Sequence, residues 1–486
     1  MSGVDGWRLW TPPAGSIPTL AVPSLEGVRS VHMIGIGGAG MRNLARLLLA
    51  RGVAVSGSDI KDSASLRELA SLGARVTRGH DPGAVGSPDA VIVSSAIHDT
   101  DPELVAARAA SIPVWRRQQA LAALAEGHRA IAVAGTHGKS TTTSMIGVIL
   151  EHAGVDPTYL IGGDLNESGS GARSGSSDLF VFEADESDGS FLVIRPWAGV
   201  VTNVDVDHVE FYRGGLEEIV DAFGEFVGRC EHVVAWGDDP SLRRALERAG
   251  VRAITYGLAA GNDLEVSVDA LGPAGARGSV RVDDAVVPVA LLVDGAHNLL
   301  NAAASIAVAR LVGVAPVDAA AALASFEGVH RRFELRGVAR GAEFFDDYGH
   351  NPAEMAATVA TARRRNPGRL IALVQPHRYP RVQALWRELG ASVAEADLVI
   401  VTDIYGATQE PIPGVTGKLV VNGVQLAAPG RRTLYLPHRR DVVDFLDGEV
   451  RAGDLVVTMG CGDVWMLGDA AIERIRERDG ERLPHA

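Results

Sequence analysis

The sequence predicts an α/β protein built from about three domains. Its 486 residues exceed what a single hydrophobic core usually organises, so several domains are expected. Short apolar runs alternate with amphipathic segments along most of the chain, which is typical of parallel sheets with helical crossovers. Changes in this pattern place the expected domains at residues 1–128, 129–327 and 328–486.

The composition excludes several classes of protein. Apolar residues make up 47% and charged residues 22% of the chain, as in globular proteins. No apolar run approaches the roughly 18 residues of a membrane span, and the N-terminus lacks the basic and apolar regions of a secretory signal. Two cysteines cannot form a disulfide framework, so a cytoplasmic protein is expected. The formal net charge of −14 argues against nucleic-acid binding.

The first domain is predicted from repeated strand-and-helix units. SVHMIGIGG is an apolar strand that runs into a glycine turn, and MRNLARLLLARG is an amphipathic helix. The short stretch at 126–130 is predicted to be a linker, and residues 1–28 are Pro-rich and receive no predicted fold. Further strands are predicted in VAVSGSD, ARVTRGH and AVIVSSA.

Gly35, Gly37 and Gly40 follow the first strand with the spacing G-x-G-x-x-G, and Asp59 ends the next strand. Glycines at this spacing let a pyrophosphate approach the backbone, and an acid about 20 residues later binds a ribose hydroxyl. Taken alone, this fingerprint makes an NAD-dependent dehydrogenase a reasonable hypothesis.

The second and third domains show the same alternation with one interruption. Residues 263–292 are predicted to form antiparallel hairpins, and the run HNLLNAAASIAVARLVG after them is predicted to be a helix. The predicted strands of the second domain lie in LFVFEADE, GVVTNVD and HVVAWGDD. Those of the third lie in LIALVQPH, LVIVTDIYG, RTLYLPH and DLVVTMGCGD.

The stretch GTHGKS, residues 135–140, has the chemistry of a phosphate-binding loop. It follows a strand and opens a helix, whose unpaired N–H groups and partial positive charge suit a phosphate. Lys139 can reach β- and γ-phosphate oxygens, and the Ser140 hydroxyl can bind Mg²⁺. Val133 stands in place of the first glycine of the strict eight-residue motif, so a simple glycine turn before a helix remains the alternative.

Two acidic runs follow strands in the same domain. EADESDGSF contains Glu183, Asp185 and Glu186, and NVDVDHVEFY contains Asp205 and His208. Strands of a parallel sheet end at one edge, and Mg²⁺ prefers oxygen ligands. A metal–nucleotide site is therefore predicted there, with solvated surface acids as the alternative.

A family resemblance rests on motifs that occur in order along almost the whole chain after Ser30. GIGGAGM, GTHGKSTTT, EADESDGSFL, TNVDVDH, GAHNLLNA, GVHRRFE, DDYGHNPAEM, QPHRYPR and QEPIPG resemble the Mur ligases of peptidoglycan synthesis. The resemblance implies a Rossmann-like UDP-binding domain, a central P-loop-type ATPase domain and a Rossmann-like C-terminal domain that binds the amino acid. It is strongest to the branch that joins L-alanine to UDP-N-acetylmuramate through an acyl phosphate, with ATP and Mg²⁺. A related ligase that uses another amino acid or a recycled peptide remains an alternative.

The resemblance also implies roles for single residues, carried over by motif. Catalytic roles fall to Lys139, Glu183, His208 and His350. Nucleotide contacts fall to Gly135, Thr136, Gly138, Lys139, Ser140, Asn298, Arg332 and Asp347, and metal binding to Ser140, Glu183 and His208. UDP-sugar contacts fall to Gly35, Gly37, Gly38, Gly40, Asp59, Ser94 and Ser95. Amino-acid contacts fall to Tyr348, His350, Arg378 and Arg381.

The amino-acid end of this assignment rests on an arginine pair. Arg378 and Arg381 are predicted to share one helix face, where two guanidinium groups suit a carboxylate; a solvated helix face is the alternative. Asn351 stands where a second histidine is common in the family, and the loop at 405–410 departs from the usual sequence. The choice among L-alanine, glycine and L-serine therefore stays open.

Overall fold

A computed structural model of the protein describes residues 21–60, 63–94, 97–162, 170–208, 211–407 and 409–480. The chain divides into two compact units, which are described separately below. Unit 1 comprises Met1–Ala270 and Ala276–Gly328, and unit 2 comprises Leu271–Gly275 and Val329–Ala486.

Unit 1 begins with a five-stranded parallel sheet in the order β3-β2-β1-β4-β5. Its strands are β1 Ser30–Ile34, β2 Ala54–Asp59, β3 Arg75–Arg78, β4 Ala90–Val93 and β5 Val114–Arg116. Its helices are α1 Ala39–Ala50, α2 Ala64–Ser71, α3 Pro102–Ala109 and α4 Arg117–Ala125. The strand order reverses direction at β1, which is where a parallel sheet opens a crevice for a ligand. The glycine loop leaves β1 at this point.

A ten-stranded sheet follows, in the order β15-β14-β13-β12-β11-β10-β6-β9-β7-β8. It belongs to unit 1 except at Leu271–Gly275, where β13 turns into β14. Its first strands are β6 Arg129–Ala134, β7 Thr158–Leu160, β8 Ala172–Arg173, β9 Leu179–Glu183 and β10 Ala198–Val201. The others are β11 His232–Trp236, β12 Ile254–Gly257, β13 Leu264–Gly272, β14 Gly275–Val282 and β15 Ala285–Leu291. Its helices are α5 Lys139–His152, α6 Leu216–Val227, α7 Pro240–Ala249, α8 Ala296–Leu311 and α9 Pro316–Leu323.

Strand β6 lies in the middle of this sheet, parallel to β9 on one side and to β10 on the other. The predicted hairpin region is confirmed, since β14 and β15 pair antiparallel. The predicted end of the linker at 126–130 is wrong, because residues 129 and 130 already belong to β6, which begins at Arg129. Arg129 donates two hydrogen bonds to Asp178, which holds the start of the strand in place.

Unit 2 contains a six-stranded sheet in the order β16-β17-β21-β18-β19-β20, antiparallel at β16 and parallel elsewhere. Its strands are β16 Glu334–Ala339, β17 Ala342–Asp347, β18 Arg369–Val374, β19 Leu398–Val401, β20 Arg432–Tyr435 and β21 Asp454–Met459. Its helices are α10 Pro352–Arg364, α11 Tyr379–Ser392, α12 Lys418–Ala427, α13 Arg439–Glu449 and α14 Trp465–Asp479.

Buried apolar side chains hold each unit together. In unit 1 one continuous cluster runs from the first sheet, including Met33, to the second, including Phe182. In unit 2 two clusters lie on the two faces of the sheet and include Val457 on one face and Val456 on the other. None of the described helices has both the length and the apolar composition that a bilayer span requires. These cores fix the strands whose carboxyl ends carry the polar residues considered next.

Candidate active site

The loop between β6 and α5 has a backbone that only glycine adopts without strain at two points. Gly135 has φ +129° and Gly138 has φ +81°. A Cβ atom on Gly135 would lie 2.1 Å from the Thr202 hydroxyl oxygen. The glycines of GTHGKS are therefore required by the tight turn itself, and they leave backbone N–H groups at the start of α5 facing any ligand.

The segment after β10 holds this loop in place. The His137 N–H donates to Asn203 Oδ1 at 2.9 Å, and Asn203 Nδ2 donates back to the His137 carbonyl at 3.0 Å. The Asp205 N–H donates to Thr136 Oγ1 at 2.9 Å. The phosphate loop is thus preformed by a neighbouring strand end. Asn203 was not among the predicted site residues, although it lies in the TNVDVDH motif.

Lys139, the first residue of α5, makes three contacts that match the three N–H donors of an ammonium group. Its Nζ lies 2.9 Å from Glu186 Oε1, 2.5 Å from the Gly135 carbonyl and 3.3 Å from the Thr136 carbonyl. Burial opposes the charge of Lys139, but the carboxylates of Glu186, Asp185 and Glu183 outweigh it and raise the pKa of the amine. Lys139 is therefore a fixed cation inside the predicted phosphate site.

The acids after β9 and His208 after β10 surround Lys139. Glu186 is 2% exposed, and His208 Nε2 lies 3.9 Å from its carboxylate. Burial of Glu186 raises the pKa of its carboxyl group against the effect of Lys139. Burial also opposes the charge of Asp185, but Arg117, Lys139 and His208 outweigh it and lower the pKa of that carboxyl group.

The predicted metal ligands lie around this cluster. Glu183 is buried at the end of β9 and accepts a hydrogen bond from the Gly162 N–H at 2.5 Å, while Ser140 is buried in the first turn of α5. Within the described part of the chain, Glu186 Oε2 and His208 Nδ1 are buried with no hydrogen-bond partner. A buried carboxylate oxygen without a donor fits a bound cation, and oxygen-rich ligands suit Mg²⁺. Glu186 therefore joins the predicted ligands as a residue that the sequence analysis named but did not assign.

Asn298 lies in the first turn of α8 and is linked to the phosphate helix through Asn301. Asn298 Nδ2 donates to the Asp294 carbonyl at 2.7 Å, and Asn301 Nδ2 lies 3.3 Å from Asn298 Oδ1. The Thr142 hydroxyl of α5 donates to Asn301 Oδ1 at 3.3 Å. The i, i+3 spacing of the two asparagines on a predicted helix is the signal that would have identified Asn301.

The first glycine loop contacts the acid predicted for it. The Gly35 and Ile36 N–H groups donate to the Ser58 carbonyl at 2.9 and 3.0 Å, and the Gly37 N–H donates to Asp59 Oδ2 at 3.0 Å. Gly38 lies at the N-terminal cap of α1. A Cβ on Gly35 would lie 3.1 Å from Ser94 Cβ, so Ser94 lines the same turn. Ser95 lies outside the described residues.

In unit 2, Asp347 ends β17 with its carboxylate already engaged. It accepts hydrogen bonds from the Phe333 N–H at 2.8 Å and from the Gly349 N–H at 2.7 Å. Burial raises the pKa of this carboxyl group against the effect of Arg332. The Arg332 guanidinium lies 5.2 Å from the ring centre of Tyr348 and 3.7 Å from Glu354. These residues form one polar cluster at the strand end.

Arg378 and Arg381 do not lie on one helix face as predicted. Arg378 precedes α11 with φ +64° and therefore does not share a helix face with Arg381. Arg381 is 2% exposed and its Nη1 lies 3.0 Å from His377 Nδ1, so a solvated face is also wrong for this residue. The His377 ring lies 5.5 Å from that of His350. His377 was not predicted, although QPH follows a strand in the same way as DDYGH.

His350, His377 and Cys461 bring three donor atoms within 4.8 Å of one another after three adjacent strands. Burial raises the pKa of the Cys461 thiol to about 12. Three guanidinium groups near this thiol oppose that shift, namely Arg381, Arg331 and Arg378. A surrounding of this charge favours an anion such as a carboxylate over a metal ion.

Family models match three successive parts of the chain. They describe a Mur ligase family catalytic domain over residues 30–129, a Mur ligase middle domain over 133–309 and a Mur ligase glutamate ligase domain over 331–462. The match confirms the predicted three-domain α/β organisation, and the exact domain limits stay predictions.

Individual proteins are similar to the chain over nearly its whole length. A UDP-N-acetylmuramate–L-alanine ligase of Thermobifida fusca is 46% identical over 92% of this chain and 96% of its own length. A ligase of the same name from Mycobacterium sp. (strain JLS) is 44% identical over 96% and 99%. The crystal structure of UDP-N-acetylmuramate–alanine ligase from Thermotoga maritima superposes with a TM-score of 0.78 at 26% identity, covering 92% of this chain and 99% of that one.

Proposed function

The chain belongs to the Mur ligase family, and we propose that it joins L-alanine to UDP-N-acetylmuramate with ATP in peptidoglycan precursor synthesis. Relatives named for this reaction at 44–46% identity support the assignment. The observation that carries the chemistry is Lys139, held 2.9 Å from the buried Glu186 in a preformed phosphate loop. The alternative hypothesis of an NAD-dependent dehydrogenase is wrong, because the chain belongs to this ligase family.

The reaction must activate a carboxylate, which is a poor electrophile. Attack of the muramyl carboxylate on the γ-phosphorus of ATP gives an acyl phosphate and ADP. The amino group of alanine then attacks the acyl carbon, and the tetrahedral intermediate expels phosphate as the amide bond forms. Both steps depend mainly on positioning and on stabilising charge, which is what fixed cations and N–H groups supply.

The residues of unit 1 divide this work. The N–H groups at the start of α5 hold phosphate oxygens, and Lys139 neutralises charge that builds on the γ-phosphoryl group. Ser140, Glu183, Glu186 and His208 would hold Mg²⁺, which when bound neutralises phosphate charge. The loop from Gly35 to Gly40 holds the UDP pyrophosphate, with Asp59 facing the ribose.

The residues of unit 2 supply the remaining predicted contacts. Arg378 and Arg381 would bind the carboxylate of the amino acid, with Tyr348 and His350 beside it. Arg332 and Asp347 stay predicted nucleotide contacts. A cytoplasmic location, where nucleotide-linked precursors and ATP are available, also stays a prediction.

A panel of amine substrates tests the proposal. Phosphate release is measured with UDP-N-acetylmuramate, ATP and Mg²⁺ and one amine at a time: L-alanine, glycine, L-serine or the recycled peptide. We expect the highest kcat/KM with L-alanine. One methyl group in an apolar pocket is worth about 1–3 kcal/mol, so discrimination against glycine of about 10- to 200-fold is expected. A higher kcat/KM with the peptide would assign the chain to a different branch of the family.

A further inference from the structure

Two arginines at the start of α4 connect the two sheets of unit 1. Arg117 Nη2 lies 3.0 Å from Asp185 Oδ2, and Arg116 Nη1 lies 3.4 Å from Asp188 Oδ2. Both arginines come at the carboxyl end of β5 in the first sheet, and both acids come in the loop after β9 in the second. The ion pairs therefore join the strand edges that carry the two predicted ligand sites of this unit.

Arg117 also lies against the first glycine loop. A Cβ atom on Gly40 would lie 3.0 Å from Arg117 Nη1 and 3.4 Å from its Cζ. Gly40 is the third glycine of the loop that the proposed function assigns to the UDP pyrophosphate. One guanidinium group thus lies beside Gly40 of the pyrophosphate loop with one nitrogen and pairs with the acidic loop of the ATP site with another.

The acidic end of this connection reaches Lys139 through one neighbour. Asp185 directly precedes Glu186, whose carboxylate pairs with Lys139 at 2.9 Å. The Gln118 amide, oriented with its oxygen toward the pair, accepts from Arg117 Nη2 at 3.2 Å and from the Asp185 N–H at 3.1 Å. The position of Arg117 is therefore tied to the backbone of the loop that carries Glu186.

We propose that Arg117 is a positioning residue that couples occupancy of the UDP-sugar loop to nucleotide binding at Lys139. The inference rests on the proposed function. A pyrophosphate offers a guanidinium group more negative charge and more acceptor oxygens than one carboxylate does. A bound UDP-sugar therefore competes with Asp185 for Arg117. Asp185 then adds uncompensated negative charge beside the predicted metal ligands, which strengthens binding of the Mg²⁺ that the nucleotide shares with them.

Coupling of this kind is reciprocal, so it can be measured from either ligand. The experiment is isothermal titration of ADP with Mg²⁺ into the full-length protein, with and without saturating UDP-N-acetylmuramate. We expect the UDP-sugar to tighten nucleotide binding by about fivefold or more in the wild type, the lower end of typical couplings. In Arg117→Gln the ratio of the two affinities should fall to about one, and Arg117→Lys, which keeps the charge without the fork, should retain part of it.

Two further variants separate coupling from general damage. Asp185→Asn should lose the coupling while keeping the affinity for the UDP-sugar, because Asp185 belongs to the other loop. Arg116→Gln removes the neighbouring ion pair of the same helix start and should keep the wild-type ratio. Melting temperatures confirm that each variant is folded, and Asp185→Asn carries the test if Arg117→Gln does not fold.

The outcomes distinguish the inference from the function on which it rests. The coupling role is overturned if the UDP-sugar leaves nucleotide affinity unchanged in the wild type. It is also overturned if Arg117→Gln and Asp185→Asn both keep the affinity ratio of the wild type. If that happens while the wild type turns over L-alanine, the proposed function stands and only the inference fails. If the wild type neither binds UDP-N-acetylmuramate nor turns over, both fail.

Discussion

The proposed function requires Lys139 to exchange partners when a nucleotide binds. All three N–H donors of its ammonium group are matched by acceptors, and one of these is the carboxylate of Glu186. In the proposed complex a γ-phosphate oxygen would replace at least one of them, and Glu186 is the partner that a metal ion would also attract. The buried ion pair between Lys139 and Glu186 therefore stabilises the free protein. In the proposed complex Lys139 pairs with phosphate and Glu186 with the metal ion.

The first prediction concerns this residue. Lys139→Ala should keep the fold and lower kcat with L-alanine by more than tenfold, or about 1.4 kcal/mol of transition-state stabilisation. The substitution also leaves Glu186 buried without its cation, which lowers the melting temperature. Steady-state phosphate release and thermal melting measure the two effects.

A double variant separates catalysis from stability at this position. Lys139→Ala/Glu186→Gln removes the unpaired carboxylate and should recover part of the melting temperature without recovering kcat. Activity within tenfold of the wild type in the single variant would show that Lys139 does not stabilise charge on the γ-phosphoryl group.

The residues missed at this scale show what the sequence could not supply. EADESDGSF presents several acids in a row, and which of them faces Lys139 depends on the turn after β9 and on the pairing of β9 with β6. That pairing joins segments about fifty residues apart. Asn203 was missed for the same reason, because it acts on a loop that is distant in sequence, whereas the spacing of Asn301 from Asn298 did carry a signal. The motifs locate the candidate residues along the chain, and only the pairing of the strands shows which side chains lie together.

The sequence predicted many of the strands but missed short ones such as β5, β7 and β8, and it placed the start of α11 wrongly. Apolar runs ending in glycine or polar residues located strands such as β4, β9 and β21, because these strands are short and buried along their whole length. The helix α11 was expected to include Arg378, but it begins at Tyr379 with Pro380 in its first turn. Proline is favoured at a helix start, so the sequence did contain the correct boundary. The burial of Arg381 depends on packing in the folded unit and was not predictable.

The second prediction follows from this helix start. Arg378→Lys and Arg381→Lys keep the charge but lose the planar fork, so each should raise the KM for L-alanine with little change in the KM for ATP. The effect of Arg381→Lys should be the larger, because its guanidinium is buried and contacts His377. Initial rates at varied L-alanine and varied ATP give both constants.

Arg387→Lys is the matched control, since Arg387 lies on the exposed side of the same helix. It should leave both constants unchanged. If neither Arg378→Lys nor Arg381→Lys alters the kinetics of the amino acid, its carboxylate binds elsewhere, and His350 with Asn351 would be the next residues to test.

At the scale of the whole molecule, each unit has its own core and its own thiol. Cys230 belongs to unit 1 and Cys461 to unit 2, and both are free cysteines. Burial raises the pKa of each thiol from 9.0 to about 12. The thiolate is the form that reacts with a disulfide reagent, and burial suppresses it. The two cysteines therefore report the opening of the two units separately.

The third prediction is that both thiols react slowly with Ellman's reagent at pH 8 in the native protein and rapidly once their unit unfolds. A rise of the thiol pKa from 9.0 to about 12 lowers the thiolate fraction at pH 8 by about a thousandfold. Native reaction rates should therefore fall at least about a hundredfold below those in denaturant.

The same shift makes stability depend on pH. Because the pKa of each thiol is higher in the folded than in the unfolded protein, the contribution of each thiol to stability is complete below about pH 9. That contribution is lost as the pH rises toward 12, so the melting temperature should fall over this range. The variants Cys230→Ala and Cys461→Ala assign each reaction to its unit, and each should weaken the alkaline decline. A thiol that reacts in native buffer as fast as in denaturant would show that its unit opens readily at that position.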